Sequence, residues 1–124
     1  MEFFRCKHCG NIIAFVKNTG VKVSCCGEHM TPLIAKNNDV GNEKHVPHYY
    51  KEGKYLVVEV GSVAHPMTEE HYIEWVALVT KNGNQRKVLK PNSEPKVKFL
   101  IEEDDEVVEL YAYCNLHGLW TVNK

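Results

Sequence analysis

Five side chains that can bind a transition metal are spread over the later part of the chain, and four of them are histidines. Cys114 and His117 lie three positions apart near the C-terminus, whereas His45, His65 and His71 lie upstream in turn-like or strand-end settings. Zinc prefers four ligands, but iron accepts four imidazoles and one thiolate and keeps a sixth position open. A strongly donating thiolate pushes electron density onto the metal. This donor set suits the reduction of a small oxygen species.

A second group of thiols lies near the N-terminus. The two-residue gap between Cys6 and Cys9 lets both sulfurs face one ion, and Gly10 permits the tight turn behind them. Cys25 and Cys26 are adjacent, which predicts a distorted tetrahedron. Zinc and iron both fit four thiolates, so the donor set leaves the metal open. Two disulfides are the other interpretation, which a reducing compartment disfavours.

Three further histidines are expected at the surface rather than at a metal. His8 and His29 flank the cysteine group, but four sulfurs already complete a tetrahedral site. His48 directly follows Pro47 and has no predicted partner. The sequence therefore predicts two separate metal sites with nine ligands between them.

The elements that must position these ligands are predicted to be β-strands. Residues 1–36 form a cysteine-bearing block, residues 36–42 are polar and turn-rich like a linker, and the chain from residue 43 onward has an all-β pattern. Asn82-Gly83 is a hairpin signal, and the acidic run Glu102–Glu106 is expected to be a solvated loop. The spacing of the later strands favours an immunoglobulin-like or Greek-key β-sandwich. The candidate strands are Ile12–Val16, Val21–Ser24, Tyr55–Val60, His71–Thr80, Lys96–Ile101, Val107–Tyr113 and Leu119–Val122.

Composition excludes several classes of function. The 124 residues carry 15 basic and 16 acidic side chains, a balance that argues against nucleic acid as a partner. No apolar run approaches the roughly 20 residues of a membrane span. The N-terminus lacks a secretory pattern, so we expect a cytoplasmic protein. Five cysteines, an odd number, also fit metal binding better than a disulfide framework.

The motifs taken together resemble the desulfoferrodoxin family of superoxide reductases, over nearly the whole chain. The resemblance implies an all-β protein with a rubredoxin-like or desulforedoxin-like domain at 1–36 and a β-sandwich superoxide reductase domain at 37–124. The motifs are Cys6-x2-Cys9-Gly10-Asn11, Cys25-Cys26-Gly27, Glu43-Lys44-His45-Val46-Pro47, Val60-Gly61-Ser62-Val63-x-His65-Pro66-Met67, His71-x-Ile73-x-Trp75 and Tyr113-Cys114-Asn115-Leu116-His117-Gly118.

The resemblance also implies cofactors, reaction and partners. Two iron ions are expected, without haem or flavin: one on Cys6, Cys9, Cys25 and Cys26, the other on His45, His65, His71 and His117 with Cys114 axial. The reaction is the one-electron reduction of superoxide to hydrogen peroxide, without dioxygen, which detoxifies superoxide in anaerobic or microaerophilic cells. Family members are commonly homodimers that receive electrons from rubredoxin-type donors.

Lys44 and Glu43 precede the candidate ligand His45 and are predicted to be catalytic. The Lys44 ammonium can attract an anion and help deliver a proton through water. The Glu43 carboxylate can approach the iron once product leaves. In the alternative interpretation, both are ordinary surface charges.

Three other functions remain as alternatives. A soluble non-haem iron electron carrier without catalytic activity also fits two redox metals. A structural zinc protein with a β-sandwich binding domain fits the cysteine group. A hydrolase with Cys114 as nucleophile and His117 as base rests on their closeness alone.

Overall fold

A computed structural model of the chain describes residues 1–37 and 42–122, apart from the side chains of Asn42 and Glu43. Most of the predicted linker, residues 38–41, therefore lies outside the described part. The chain divides into two compact units, Met1–Ile34 and Ala35–Lys124. Within the described ranges, no helix has the length and apolar character needed to cross a membrane.

The first unit is built from five very short strands. One sheet has the order β2-β1-β5, and β3 and β4 form a separate hairpin. Phe3, Cys6 and Met30 are its buried apolar residues. So small a core stabilises little, and a metal ion is a common substitute. The strands are β1 Phe3–Arg5, β2 Ile12–Ala14, β3 Ser24–Cys25, β4 Glu28–His29 and β5 Thr31–Pro32.

The second unit is a β-sandwich preceded by one helical turn. A three-stranded sheet of order β10-β7-β6 faces a four-stranded sheet of order β12-β11-β8-β9. All pairs are antiparallel, and the chain crosses between the sheets after β7, β9 and β10. The all-β prediction with an immunoglobulin-like sandwich is confirmed. The elements are α1 Asn42–His45, β6 Pro47–Glu52, β7 Tyr55–Val60, β8 Ile73–Thr80, β9 Gly83–Val88, β10 Lys96–Leu100, β11 Val107–Cys114 and β12 Gly118–Thr121.

The core lies between the inner faces of these two sheets. In some of its strands apolar residues alternate with polar ones, which buries one face of the sheet, and in others apolar, β-branched residues form a continuous run, which buries both faces. Leu56, Ile73, Val76, Phe99 and Leu110 are fully buried. Cys114 belongs to the same cluster, so one candidate ligand is anchored in the core itself.

Strand register brings the ends of several strands to one edge of the sandwich. The first residue of β6, Pro47, pairs with the last residue of β7, Val60. Ile73 at the start of β8 pairs with Cys114 at the end of β11, and Cys114 also pairs with Gly118 at the start of β12. The segments that carry the candidate histidines, α1 and two loops, adjoin these positions.

Some local predictions differ from the structure. The predicted hairpin exists: Thr80 pairs with Gly83, so Lys81 and Asn82 form its loop. The acidic run is a loop, as expected, yet it is not solvated throughout. Asp105 is buried, because its carboxylate accepts hydrogen bonds from the backbone N–H groups of Asn82 at 3.1 Å and Glu106 at 2.9 Å.

Candidate metal centres

Four of the predicted ligands of the second metal come together at the edge of the sandwich. The ligand atoms of His45, His65, His71 and Cys114 all lie within 4.8 Å of one another. His45 ends α1, His65 and His71 lie in the β7–β8 connection, and Cys114 ends β11. Residues from three distant stretches thus share one small volume.

The fifth predicted ligand, His117, lies against this group from the β11–β12 turn. Its Nδ1 atom is 3.2 Å from Nε2 of His45 and 3.7 Å from Sγ of Cys114. Its ring centroid lies 5.0 Å from that of His71. His117 is the exposed member, whereas His45, His65 and Cys114 are buried.

The histidine rings present nitrogens that lack protein partners. His65 donates from Nδ1 to the carbonyl oxygen of Pro66 at 2.6 Å, which leaves a lone pair on Nε2. Nε2 of His65 and Nε2 of His71 are buried without a hydrogen-bond partner. A buried polar atom without a partner is costly unless a ligand compensates it. The donor set therefore fits a metal ion at this point.

Burial shifts the pKa values of the group toward its uncharged forms. It lowers the pKa of His65 to about 4. Burial, followed by the positive charges of His117 and Lys44, also lowers the pKa of His71. The pKa of Cys114 is raised, mainly by burial. Neutral imidazoles are the form that binds metals, and a cation at the site would displace the thiol proton.

Neighbouring side chains hold the ligands in place. The Asn115 side chain accepts a hydrogen bond from the backbone N–H of Tyr72 at 3.0 Å and donates one to the carbonyl of Glu70 at 2.9 Å. These bonds bracket His71 on both sides and tie it to the residue after Cys114. Such supporting contacts fix ligand orientation.

Trp120 supports the other side of the group. Its indole stacks on the imidazole of His45, with centroids 4.5 Å apart and planes 18° from parallel. Its Nε1 donates a hydrogen bond to the carbonyl oxygen of His117 at 3.2 Å. One buried side chain therefore contacts two candidate ligands.

The two predicted catalytic residues belong to α1. Lys44 is exposed, and its charge contributes to lowering the pKa of His71, so the ammonium acts on the histidine group electrostatically. Glu43 has a helical backbone, but its side chain lies outside the described part of the structure. Its role stays a prediction.

The four N-terminal cysteines form the other group of clustered ligands among the described residues. The four Sγ atoms lie within 4.8 Å of one another, and Sγ of Cys9 is 3.6 Å from Sγ of Cys25. Adjacent residues in an extended chain point to opposite sides. Cys26 avoids this with a left-handed backbone (φ 55°), and Gly27 continues the turn at φ 76°. The strained turn explains how adjacent thiols face one point.

The thiols of this group have strongly divergent acidities. A hydrogen bond from the backbone N–H of Cys9 lowers the pKa of Cys6 to about 6. Interaction with Cys9 and then Cys6 raises the pKa of Cys26 to about 12. Four neighbouring thiols cannot all ionise without a cation, and a bound metal supplies that charge.

The remaining histidines lie at the surface, as the sequence predicts. His8 contacts Glu28 at 2.6 Å, and His29 contacts the Ser24 hydroxyl at 3.1 Å. All four of these residues are exposed. His48 is exposed in β6. None of these histidines belongs to a cluster of ligands found among the described residues.

Comparison with known families covers both units. The sequence model of the family described as "Desulfoferrodoxin" matches residues 37–123, and that described as "Desulfoferrodoxin, N-terminal domain" matches residues 1–33. The chain belongs to the desulfoferrodoxin family. The predicted resemblance is confirmed, and the two clusters of ligands lie one in each matched region.

Several known proteins match this chain over two thirds of its length or more. The desulfoferrodoxin homolog of Archaeoglobus fulgidus is 46% identical over 120 residues, 97% of this chain and 94% of the relative. The superoxide reductase of Pyrococcus horikoshii is 36% identical over 103 residues, 68% of this chain and 89% of the relative. The crystal structure of the superoxide reductase from Treponema pallidum superimposes with a TM-score of 0.82 at 39% identity, covering 98% of this chain and 96% of that one.

Sequence reasoning did not single out the supporting residues. Asn115 and Trp120 stand in the same C-terminal motif as Cys114 and His117, and that closeness is a signal that could have pointed to them. Lys36 lies outside every motif, and only the fold shows its contact with His117.

Proposed function

We propose that this chain is a superoxide reductase that transfers one electron to superoxide and, with two protons, releases hydrogen peroxide. One observation carries the proposal: four imidazoles and a buried thiol converge at the edge of the sandwich, and two of their nitrogens are buried without a protein partner. Two of the matched proteins described above are named superoxide reductases.

The two clusters support the ligand assignment. Cys6, Cys9, Cys25 and Cys26 would hold one iron, and four histidines with Cys114 would hold the other. Iron held by imidazoles and one thiolate would supply a one-electron reductant for a small anion. Residues of the second site are His45, His65, His71, His117 and Cys114.

Residues of the chain itself orient a ligand, attract the substrate and deliver protons to the product. The Pro66 carbonyl keeps the Nδ1 proton of His65 in place, so that Nε2 faces the cluster as a lone pair. Lys44 is exposed beside the cluster and attracts the anionic substrate, and protons reach the product through water held by its ammonium. Glu43, one residue earlier, approaches the site after product leaves.

The wider organisation belongs to the same proposal. Residues 1–36 form a desulforedoxin-like Fe(Cys)4 domain, and residues 37–124 form the superoxide reductase domain. A rubredoxin-type protein supplies electrons, the protein acts as a homodimer, and it works in the cytoplasm. The matches to separate family models for residues 1–33 and 37–123 support the division.

The test separates catalysis from simple electron transfer. Anaerobically purified protein is analysed for iron and zinc, reduced, and mixed with pulse-generated superoxide while the absorbance of the second centre is followed. We expect two irons per chain and rapid oxidation of the second centre by superoxide. Azide added to the oxidised protein should change the spectrum of that centre alone. Zinc at both sites, or a second centre that neither azide nor superoxide affects, would refute the proposal.

A further inference from the structure

Lys36 is held at the second site by backbone contacts that fix where its side chain starts. Its N–H donates to the carbonyl of Leu119 at 3.0 Å, and its carbonyl accepts from the N–H of Thr121 at 2.9 Å. These bonds make an isolated parallel bridge between Lys36 and Trp120. The chain at Lys36 therefore lies alongside β12, which leads out of the turn that carries His117.

The Lys36 ammonium is also anchored, although the side chain is exposed. Its Nζ donates to the carbonyl oxygen of His117 at 3.4 Å and lies 5.5 Å from the centroid of the Trp120 ring. A cation over an indole face is attracted by the ring electrons. Surface lysines usually keep their rotamer freedom, and holding one costs entropy. Here a carbonyl and an indole offset that cost.

Both anchors belong to the candidate metal site. The carbonyl is that of His117, and the indole of Trp120 stacks on His45. Trp120 donates to the same His117 carbonyl that Lys36 contacts. The charge of Lys36 is therefore fixed beside the exposed member of the histidine group, on a different chain segment from Lys44.

We propose that Lys36 is a second anion-attracting cation of this site, acting together with Lys44. For superoxide as the physiological anion, this inference rests on the proposed function. Two positive charges close to one site raise the local concentration of a small anion there more than one charge does, and salt screens the effect. The exposed ammonium keeps its hydration and charge while it directs the anion toward the cluster.

The test uses neutral and charge-preserving variants of the full, iron-loaded protein. Lys36→Gln can still donate to the His117 carbonyl but has no charge, Lys36→Met loses both, and Lys36→Arg keeps the charge. Lys54→Met is the matched control, because Lys54 is exposed in the β6–β7 turn at the opposite end of β6 from the site. Iron content and circular dichroism establish that each variant is folded and loaded.

The first measurement is the azide dissociation constant of the oxidised protein at several salt concentrations. We expect azide to bind about threefold to tenfold more weakly at low salt in Lys36→Gln and Lys36→Met, with a shallower salt dependence. Lys36→Arg and Lys54→Met should match the parent. Unchanged azide affinity in both neutral variants, or an equal loss in Lys54→Met, would overturn the inference. The inference would also be overturned if azide bound more weakly to Lys36→Met but not to Lys36→Gln, or if the loss of affinity persisted at high salt. In either case Lys36 would only fix the turn that carries His117.

The second measurement is the rate of oxidation by superoxide in the same variants. The neutral variants should react more slowly than the parent by a similar factor. If the parent itself fails to react with superoxide, the proposed function falls, while the azide series still decides whether Lys36 attracts anions. If Lys36→Met does not load iron, the Lys36→Gln series alone decides.

Discussion

The imidazole of His65 donates its Nδ1 proton to the carbonyl oxygen of Pro66 at 2.6 Å. This bond selects the tautomer of a ring that is only 3% exposed, and it leaves Nε2 buried without a protein partner. His65 and Pro66 are adjacent in sequence, yet this hydrogen bond determines which ring nitrogen is left for the candidate metal site.

Replacing His65 by alanine should therefore empty the second site and leave the first intact. We expect the iron content to fall by one ion per chain, because loss of a ligand weakens binding by more than the roughly 10- to 100-fold cost of losing a supporting contact. Metal analysis with absorption spectroscopy measures this. The control is His48→Ala, since His48 is exposed in β6 and outside the cluster. Loss of both irons, or of neither, would contradict the assignment.

Acid should destabilise the metal-free protein. Burial lowers the pKa of His65 from 6.5 to about 4, so between these pH values the unfolded chain binds a proton there and the folded chain does not. The free energy of unfolding then falls as pH drops through this window, by about 3 kcal/mol at about 1.4 kcal/mol per pKa unit. Urea unfolding at several pH values, compared with His65→Leu, measures the effect. An equal loss of unfolding free energy in His65→Leu would show that other groups cause the pH dependence.

Lys44→Ala should slow the capture of superoxide without removing iron. The Lys44 side chain is exposed, and its charge lowers the pKa of the nearby His71, so it adds to the positive potential at the cluster. We expect a rate about tenfold lower at low salt and a weaker salt dependence. Lys51→Ala is the control, because Lys51 lies toward the far end of β6. A parental rate with parental salt dependence would show that Lys44 has no such role.

Asn115 offers a way to loosen the backbone on both sides of the candidate ligand His71. Asn115→Leu removes both side-chain bonds that bracket His71, at about 1 kcal/mol for each bond, whereas Asn115→Asp keeps the acceptor for the Tyr72 N–H. We expect weaker iron retention at the second site in the leucine variant, with a smaller loss in the aspartate variant. Chelator competition followed by absorbance measures it. Equal retention in all three proteins would show that the bracket does not support the site.

The core of the fold is predictable because its strands have a strong local pattern. Tyr55–Val60 forms a strand with the predicted bounds, since its β-branched and aliphatic residues suit a buried strand. β9 escaped prediction as a strand because all six of its residues are exposed and mostly polar. β6 begins at Pro47 and is otherwise exposed, so it also lacks an apolar signal.

The site is predictable only in part. Each histidine alone is ambiguous, and it is their shared setting at turns and strand ends, together with Cys114, that groups them; the resemblance carried by the surrounding motifs supports the grouping. Their convergence depends on register, as in the pairing of Cys114 with Ile73, which no spacing along the chain expresses. The contact of Lys36 with the His117 carbonyl spans 81 positions and arises from a single isolated bridge.

The central claim concerns the product of the reaction, and product analysis tests it most directly. Reduced, iron-loaded protein is mixed anaerobically with a limiting amount of superoxide, and hydrogen peroxide and dioxygen are both assayed. Reduction by the protein predicts one peroxide for each superoxide consumed, no dioxygen, and one oxidised second centre for each turnover. Release of one dioxygen and one peroxide for every two superoxides consumed, while the iron stays reduced, would contradict the account.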